Sequence, residues 1–427
     1  MQEGHSPALA IFQSPVVDTG VESVEWVGFR PVSQLSGGGP IEFNIPGHST
    51  SYIDLKRTRL HIKVRILKAD GTPVGPDNNV ALVNLPLQTM WSQVDVKLQN
   101  QVISPNIGNN YSYKSLLDVL LFNEEDPKLT QLQSQLYFMD THGYMDDANP
   151  SEGNNNGLLK RYELTKDGGS VDMEGNLFVD ICNQDRYLLN GVQLGITLWP
   201  HSPTFALMSD EPDAKYTIEI TDAVLKLCLV NVTPGIVIGH GEALQTSPAI
   251  YPFKKTDIRT YAVGTGQYDV TLENIWQGLL PTTAIVAVVA SEAYSGSLKR
   301  NPFAFEHWDL SSIGMYVSGK PVPTQPMQPN YEKGHFMDAY LSLFTGTGKY
   351  GTNSGNYIER EQFDKGYAIY ILDLEGAEGR TEHSYLKRGH TRLELRFAKP
   401  LPEPVTVIVY GTFPAALEID QSRTVRL

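Results

Sequence analysis

Residues 91–104 read WSQVDVKLQNQVIS, a short hairpin, and a second version of it stands at 311–323, SSIGMYVSGKPVP, with Trp308 just upstream. Setting Ser92 on Ser311 pairs Val94 with Ile313, Val96 with Met315, Leu98 with Val317 and Ile103 with Val322, an offset of 219 (311 less 92). The residues after each hairpin repeat as well. Asn110-Tyr111 matches Asn330-Tyr331 at an offset of 220 (330 less 110). At that offset Leu116, Leu117, Leu120 and Leu121 fall on Phe336, Met337, Tyr340 and Leu341, with Asp118 on Asp338. The leucine spacing is that of one face of a helix. A third match, YLLNGVQLGITL (187–198) with YLKRGHTRLELRF (385–397), shares Tyr-Leu-x-x-Gly before an alternating strand. A hairpin, a helix and a late strand recurring in one order predict two tandem copies of one domain.

The copies are β-rich. RTRLHIKVRI places Leu60, Ile62, Val64 and Ile66 on one face and Arg59, His61, Lys63 and Arg65 on the other, the period of a half-buried strand. LFVDI (177–181), VQLGITL (192–198), YTIEITDAVLKLCLV (216–230), TRLELRF (391–397) and VTVIVYG (405–411) alternate likewise, between turns drawn from 37 Gly and 27 Pro. Short strands with long loops predict an all-β fold of two tandem domains, each a β-sandwich or jelly roll, with short helices in the loops. The expected division is an N-terminal arm at 1–27, a first jelly roll at 28–233, a linker at 234–250, a second jelly roll at 251–420 and a tail at 421–427. GYMDDANPSEGNNNGL (143–158) is so polar and Asn-rich that it is expected to be an exposed loop.

Composition narrows the function. A hydrophobic content of 41% and a charged content of 19% belong to a folded chain with large cores. Thirty-four basic against 48 acidic residues leave a net charge of −14, which argues against a surface built to bind nucleic acid or anionic membrane. The longest apolar run, AIVAVVA (284–290), is far short of a membrane span, and the amino terminus shows no basic, apolar signal pattern. Cys182 and Cys228 are too few for a disulfide framework and are expected to be buried thiols.

No catalytic pattern emerges. The ten histidines (His5, His48, His61, His142, His201, His240, His307, His335, His383 and His390) form no metal-ligand spacing. TGTGKYGT (345–352) has Leu343 where a phosphate loop needs glycine and Tyr350 where it needs serine or threonine. The carboxylates of FNEEDP (122–127) crowd one helix end, with no partner across a cleft. Asn110 and Asn231 open glycosylation sequons that carry no weight without a secretory signal. The basic face within residues 55–67 reads best as an outer sheet face paired with neighbouring carboxylates, or as a contact with a protein neighbour. No catalytic, cofactor-binding or metal residue is assigned, and no enzyme activity is expected.

Several long stretches together resemble one family. PIEFNIPGHSTSYIDLKRTRLHIKVRI, WSQVDVKLQNQVIS, YLLNGVQLGITL, AIYPFKKTDI and NPFAFEHWDL are similar, in register from Trp26 to Tyr340, to the double jelly-roll major capsid protein (hexon) of Polintons and adintoviruses. The family tends to have an Asn-Gly turn in the first hairpin, where this chain reads Gln99-Asn100-Gln101. The resemblance implies a structural protein without cofactor. It implies a homotrimer of pseudo-hexagonal outline that tiles an icosahedral shell beside neighbouring capsomers, a single jelly-roll penton protein and minor capsid proteins. Its expected place is the virion, after synthesis in the host cytoplasm and assembly there or in the nucleus. No sequence-specific nucleic-acid binding is expected. On this reading 143–158 and 344–357 are candidate outer or inter-capsomer loops. The arm and the tail after Phe413 would reach neighbouring capsomers or the inner side of the shell. The alternative from another class is a carbohydrate- or receptor-binding β-sandwich surface protein.

Overall fold

Alternation of apolar and charged residues forces the longest strand of the first half, β3 (Ser51–Lys68), to lie on a core with one face wet. Leu60, Ile62, Val64 and Ile66 are buried, and the charged residues between them are not, apart from a half-buried fringe. The structure, a computed structural model, describes residues 19–35, 38–103, 107–374 and 388–427.

In the first half β3 joins β1 (Val21–Phe29), β6 (Val171–Asn176) and β8 (Tyr216–Val232) in one sheet, ordered β1-β8-β3-β6. The facing sheet is built from β2 (Ile41–Ile45), β4 (Trp91–Leu98), β5 (Gln101–Val102) and β7 (Leu194–Pro200), ordered β2-β7-β4-β5. The second half repeats this plan. One sheet runs β9 (Ala249–Val263), β16 (Val405–Ile419), β11 (Thr283–Ala290), β14 (Ile369–Asp373). The other runs β10 (Asp269–Leu272), β15 (Arg388–Phe397), β12 (Leu310–Val317), β13 (Lys320–Met327). Each order is that of the first half with eight added to every strand number. The pairings within these sheets are antiparallel, and the order within each half is that of an eight-stranded jelly roll. The molecule is an all-β double jelly roll with short helices in its loops.

The repeated hairpin is β4–β5 in one half and β12–β13 in the other, and the two keep the same register. Leu98 pairs with Gln101, and Val317 with Lys320. The turns are therefore Gln99-Asn100 and Ser318-Gly319, and Gln101 belongs to the strand. Ser318 and Gly319 both have positive φ (48° and 82°), as a type I′ turn demands; in the first hairpin Gln99 holds φ 54°. Helix α1 (Tyr111–Phe122) follows the first hairpin and α4 (Met337–Thr345) the second. α4 turns Phe336, Ala339 and Leu343 inward and leaves Leu341 and Asp338 outside, so its buried face suits the hairpin's offset of 219 better than 220. The third repeat places β7 on β15; Tyr385 and Leu386 lie outside the described residues.

Three expectations change. Residues 21–27 are strand β1, paired with β8, so they are part of the first sheet and not of an arm; residues 1–18 of that arm lie outside the described residues. The linker carries helix α3 (Pro234–Ala243), and Val425–Arg426 in the tail pairs with the end of β16. LFVDI is not a strand. Its backbone turns into a short 3-10 helix (Asp180–Asn183), because Asp180 is drawn inward to a buried ion pair.

Candidate interdomain joint and assembly surfaces

The apolar runs at 284–290 and 405–411 belong to central strands buried on both faces. One face of β16 lines the second jelly roll, where Gly411 lies so close to the Trp276 indole that a Cβ would clash with it. The other face presents Tyr410 to the first domain. The element it meets is α1, buried along its whole length except Phe122. A helix apolar enough to be buried all round belongs between two bodies, and α1 is the wedge between the two jelly rolls.

The polar side chains on that wedge form a closed network. Lys114, 1% exposed, reaches Asp118 at 2.7 Å and Asp180 at 3.0 Å, and donates to the Phe178 carbonyl at 2.9 Å. From the second domain Tyr410 donates to Asp118 Oδ1 at 2.8 Å, while Thr256 donates its backbone N–H and its hydroxyl to Asp180 at 2.7 and 3.0 Å. Burial alone would push Lys114 down, but the facing carboxylates outweigh it and hold the amine well above the usual lysine range. Burial raises the Asp118 carboxyl, against the pull of Lys114. With every charge paired and hydrogen-bonded, the network is costly to break at any single member.

Two further seams join the halves. Tyr113 of α1 and Phe205 pack against Tyr294 and Phe303 of the second domain, with ring centroids 5.5–5.9 Å apart, and Tyr294 donates to Asn110 Oδ1 at 2.9 Å. At the third seam Arg161, wholly buried, holds Asp140 at 2.6 Å and the carbonyls of Leu82 and Phe138. Asn301 donates to the other oxygen of Asp140 at 3.0 Å, and Arg300 pairs with Asp146 at 2.8 Å. Beside this seam a cavity of about 430 Å³ is lined by Asp146, Arg300, Glu306 and Glu403, and burial, with Asp146 nearby, raises Glu306 to about 7.

The loop at 143–158 is therefore not an exposed excursion. Met145, Ala148, Pro150 and Asn155 are buried, and Asp146 and Met145 bind Asn301 of the other half. Its polarity is spent inside. Asp147 accepts from the N–H groups of Asn149 and Asn154, Asn149 from those of Ser151 and Glu152, and Asn155 caps helix α2 (Asn156–Thr165). The segment 344–357 also crosses to the other half, leaving Tyr350–Asn353 exposed at its tip. Lys349 donates to the Gly355 carbonyl, so the phosphate-loop lookalike spends its lysine on its own backbone. Lys128 of the first domain donates to the carbonyls of Leu120 and Asn356, and burial, aided by Lys349, lowers it to about 7.

The basic face of β3 is paired with carboxylates of its own sheet and of the loop at Asp185. Arg59 meets Glu174 at 3.1 Å and stacks over Trp26, Arg65 meets Glu219, Lys56 meets Asp185 at 2.6 Å, and His61 faces Asp172 at 3.7 Å. Cys182 and Cys228 are buried free thiols, Cys182 pushed up to about 12 by burial. Among the described residues no three His, Cys, Asp or Glu side chains gather as a metal site, and no helix is long and apolar enough to cross a membrane.

With two jelly rolls clamped in this way, the likeness to known proteins has a physical basis. Over 100% of this chain and 92% of its own, a chain of the Sputnik virophage solved by cryo-electron microscopy superposes with a TM-score of 0.68 at 12% identity. The mavirus major capsid protein matches 100% of this chain and 95% of its own at TM-score 0.54 and 11% identity. The Faustovirus major capsid protein matches 96% and 92% at TM-score 0.55 and 8% identity. At these identities the likeness establishes a shared double jelly-roll fold. In sequence, an uncharacterized protein of Caenorhabditis elegans, F54H12.2, is 24% identical over 422 residues, 96% of this chain and 98% of that protein. No protein-family profile matches the chain.

Proposed function

We propose that this chain is a major capsid protein of the Polinton and adintovirus type, a structural protein whose homotrimers tile an icosahedral shell. The observation that carries the reading is the interdomain joint. A sixfold lattice position filled by three chains needs two similar bodies per chain, held at one fixed angle. Two jelly rolls of identical strand order, clamped through α1, the Lys114 network and the Arg161 network, meet that need. The end-to-end fold likeness to capsid proteins of mavirus and Faustovirus supports the same reading.

On this reading the chain works in the virion without cofactor or catalytic residue, beside neighbouring capsomers, a penton protein and minor capsid proteins. The division into jelly rolls at 28–233 and 251–420 becomes, with the strand bounds above, a proposed division at α3. The exposed tip at 350–353 is the remaining candidate for a contact between capsomers; 143–158 is occupied within the chain. Size-exclusion chromatography with light scattering tests the reading: a particle with the mass of three chains, or larger assemblies, is expected. A monomer at every salt and protein concentration overturns it.

A further inference from the structure

We propose that helix α4 of one copy packs on the outer face of the β1-β8-β3-β6 sheet of the next copy, with Asp338 facing Lys63. The contact rests on the three-chain reading above and names the surfaces through which the copies meet. Its basis is an imbalance between the two jelly rolls.

Each jelly roll has a helix after its hairpin and an outer sheet face, and a single chain covers only one of each. α1 is buried along its length except Phe122, because the second domain lies on it. Its counterpart α4 buries Ala339, Ser342 and Leu343 but leaves Asp338 and Leu341 outside, Leu341 at 38% exposure. The sheets show the converse. On the outer face of β9-β16-β11-β14, Ile258, Tyr410 and Ile285 form a row across three strands, all buried, and Tyr410 bonds to Asp118 of α1. On the outer face of β1-β8-β3-β6, β3 presents Arg59, His61, Lys63 and Arg65, none of them buried.

The uncovered helix belongs to the second domain and the uncovered sheet face to the first. Repeating the in-chain joint between copies covers both. Such a contact is heterologous, and it closes as a ring when the third copy meets the first. A face that stays wet until copies meet must remain soluble, so it is charged where the in-chain face is apolar.

The charges left over on the two surfaces are complementary. Glu174, Asp172 and Glu219 face Arg59, His61 and Arg65. Among the described residues Lys63 has no ion-pair partner, and neither has Asp338, the one charged residue of α4. Opposite charges on facing surfaces steer association and fix register.

Light scattering of the full chain over a dilution series tests the contact in Lys63→Glu, Asp338→Lys and the double variant. Both side chains are exposed, so the fold should withstand the swaps. The parent protein is expected to form three-chain particles. Each single swap sets like charges against each other and is expected to raise the dissociation concentration about tenfold. The double swap restores opposite charges and is expected to return that concentration to within about twofold of the parent's. Particles that dissociate alike in parent and single swaps, or a double swap no tighter than the single ones, overturn this contact and leave the three-chain reading standing. A monomeric parent overturns both.

Discussion

Tyr410 on β16 of the second jelly roll donates a 2.8 Å hydrogen bond to Asp118 on α1 of the first, across 292 residues of sequence. Both residues are buried, so the bond is a direct link between the two halves at their centre. Tyr410→Phe keeps the ring and removes the donor. It should cost about 1.5–3 kcal/mol, the range for a hydrogen bond to a charged group, read as a lower urea midpoint with an unchanged slope.

Lys114 is the cation that faces both Asp118 and Asp180 in this network. Lys114→Met fills the space but leaves two buried carboxyls without it, a loss of about 3–5 kcal/mol. Arg161→Met should do the same to Asp140 at the third seam, by the same mechanism. Thermal unfolding of each variant is the check, and a Tm within a degree of the parent protein would contradict the assignment.

Two groups make the joint sensitive to pH, in opposite directions. Glu306 sits at about 7 in the fold against an ordinary 4.5, so the folded state holds the proton more tightly. Its contribution is full below about 4.5 and is lost as pH rises through about 7. Lys128 sits at about 7 against 10.5, so the folded state favours the neutral amine. Its contribution is present above about 10.5 and is lost as pH falls through about 7. Denaturation midpoints across these windows should flatten selectively, the acid-side slope in Glu306→Gln and the alkaline-side slope in Lys128→Met.

The second hairpin turn depends on Gly319 at φ 82°, with nothing near its Cβ position. Any loss in Gly319→Ala is therefore backbone strain, about 1 kcal/mol by chemical denaturation. An unchanged midpoint would mean that the turn relaxes to another type.

The duplication was legible because a hairpin's register is local. Leu98–Gln101 and Val317–Lys320 pair identically, and the alternating residues that pack each sheet keep their spacing. The wedge was only half legible. The leucines of α1 announced a helix, but nothing in their spacing marks Asp118 as buried, and only the fold brings Lys114, Asp180 and Tyr410 to it. Composition misled at 143–158, where asparagines and aspartates satisfy their own backbone and the neighbouring domain. It misled also at 177–181, where alternation continues after the strand has ended. The exposed, apolar α3 carried no warning in the sequence, since apolar residues beside glycines suit a linker as well as a core.

Electron microscopy of the purified full-length protein tests the central claim most directly. Three-chain particles with a pseudo-hexagonal outline are expected, with six jelly-roll densities at a common radius and α1 between each intrachain pair. Monomers, or oligomers whose two jelly rolls sit at variable angles, would contradict it.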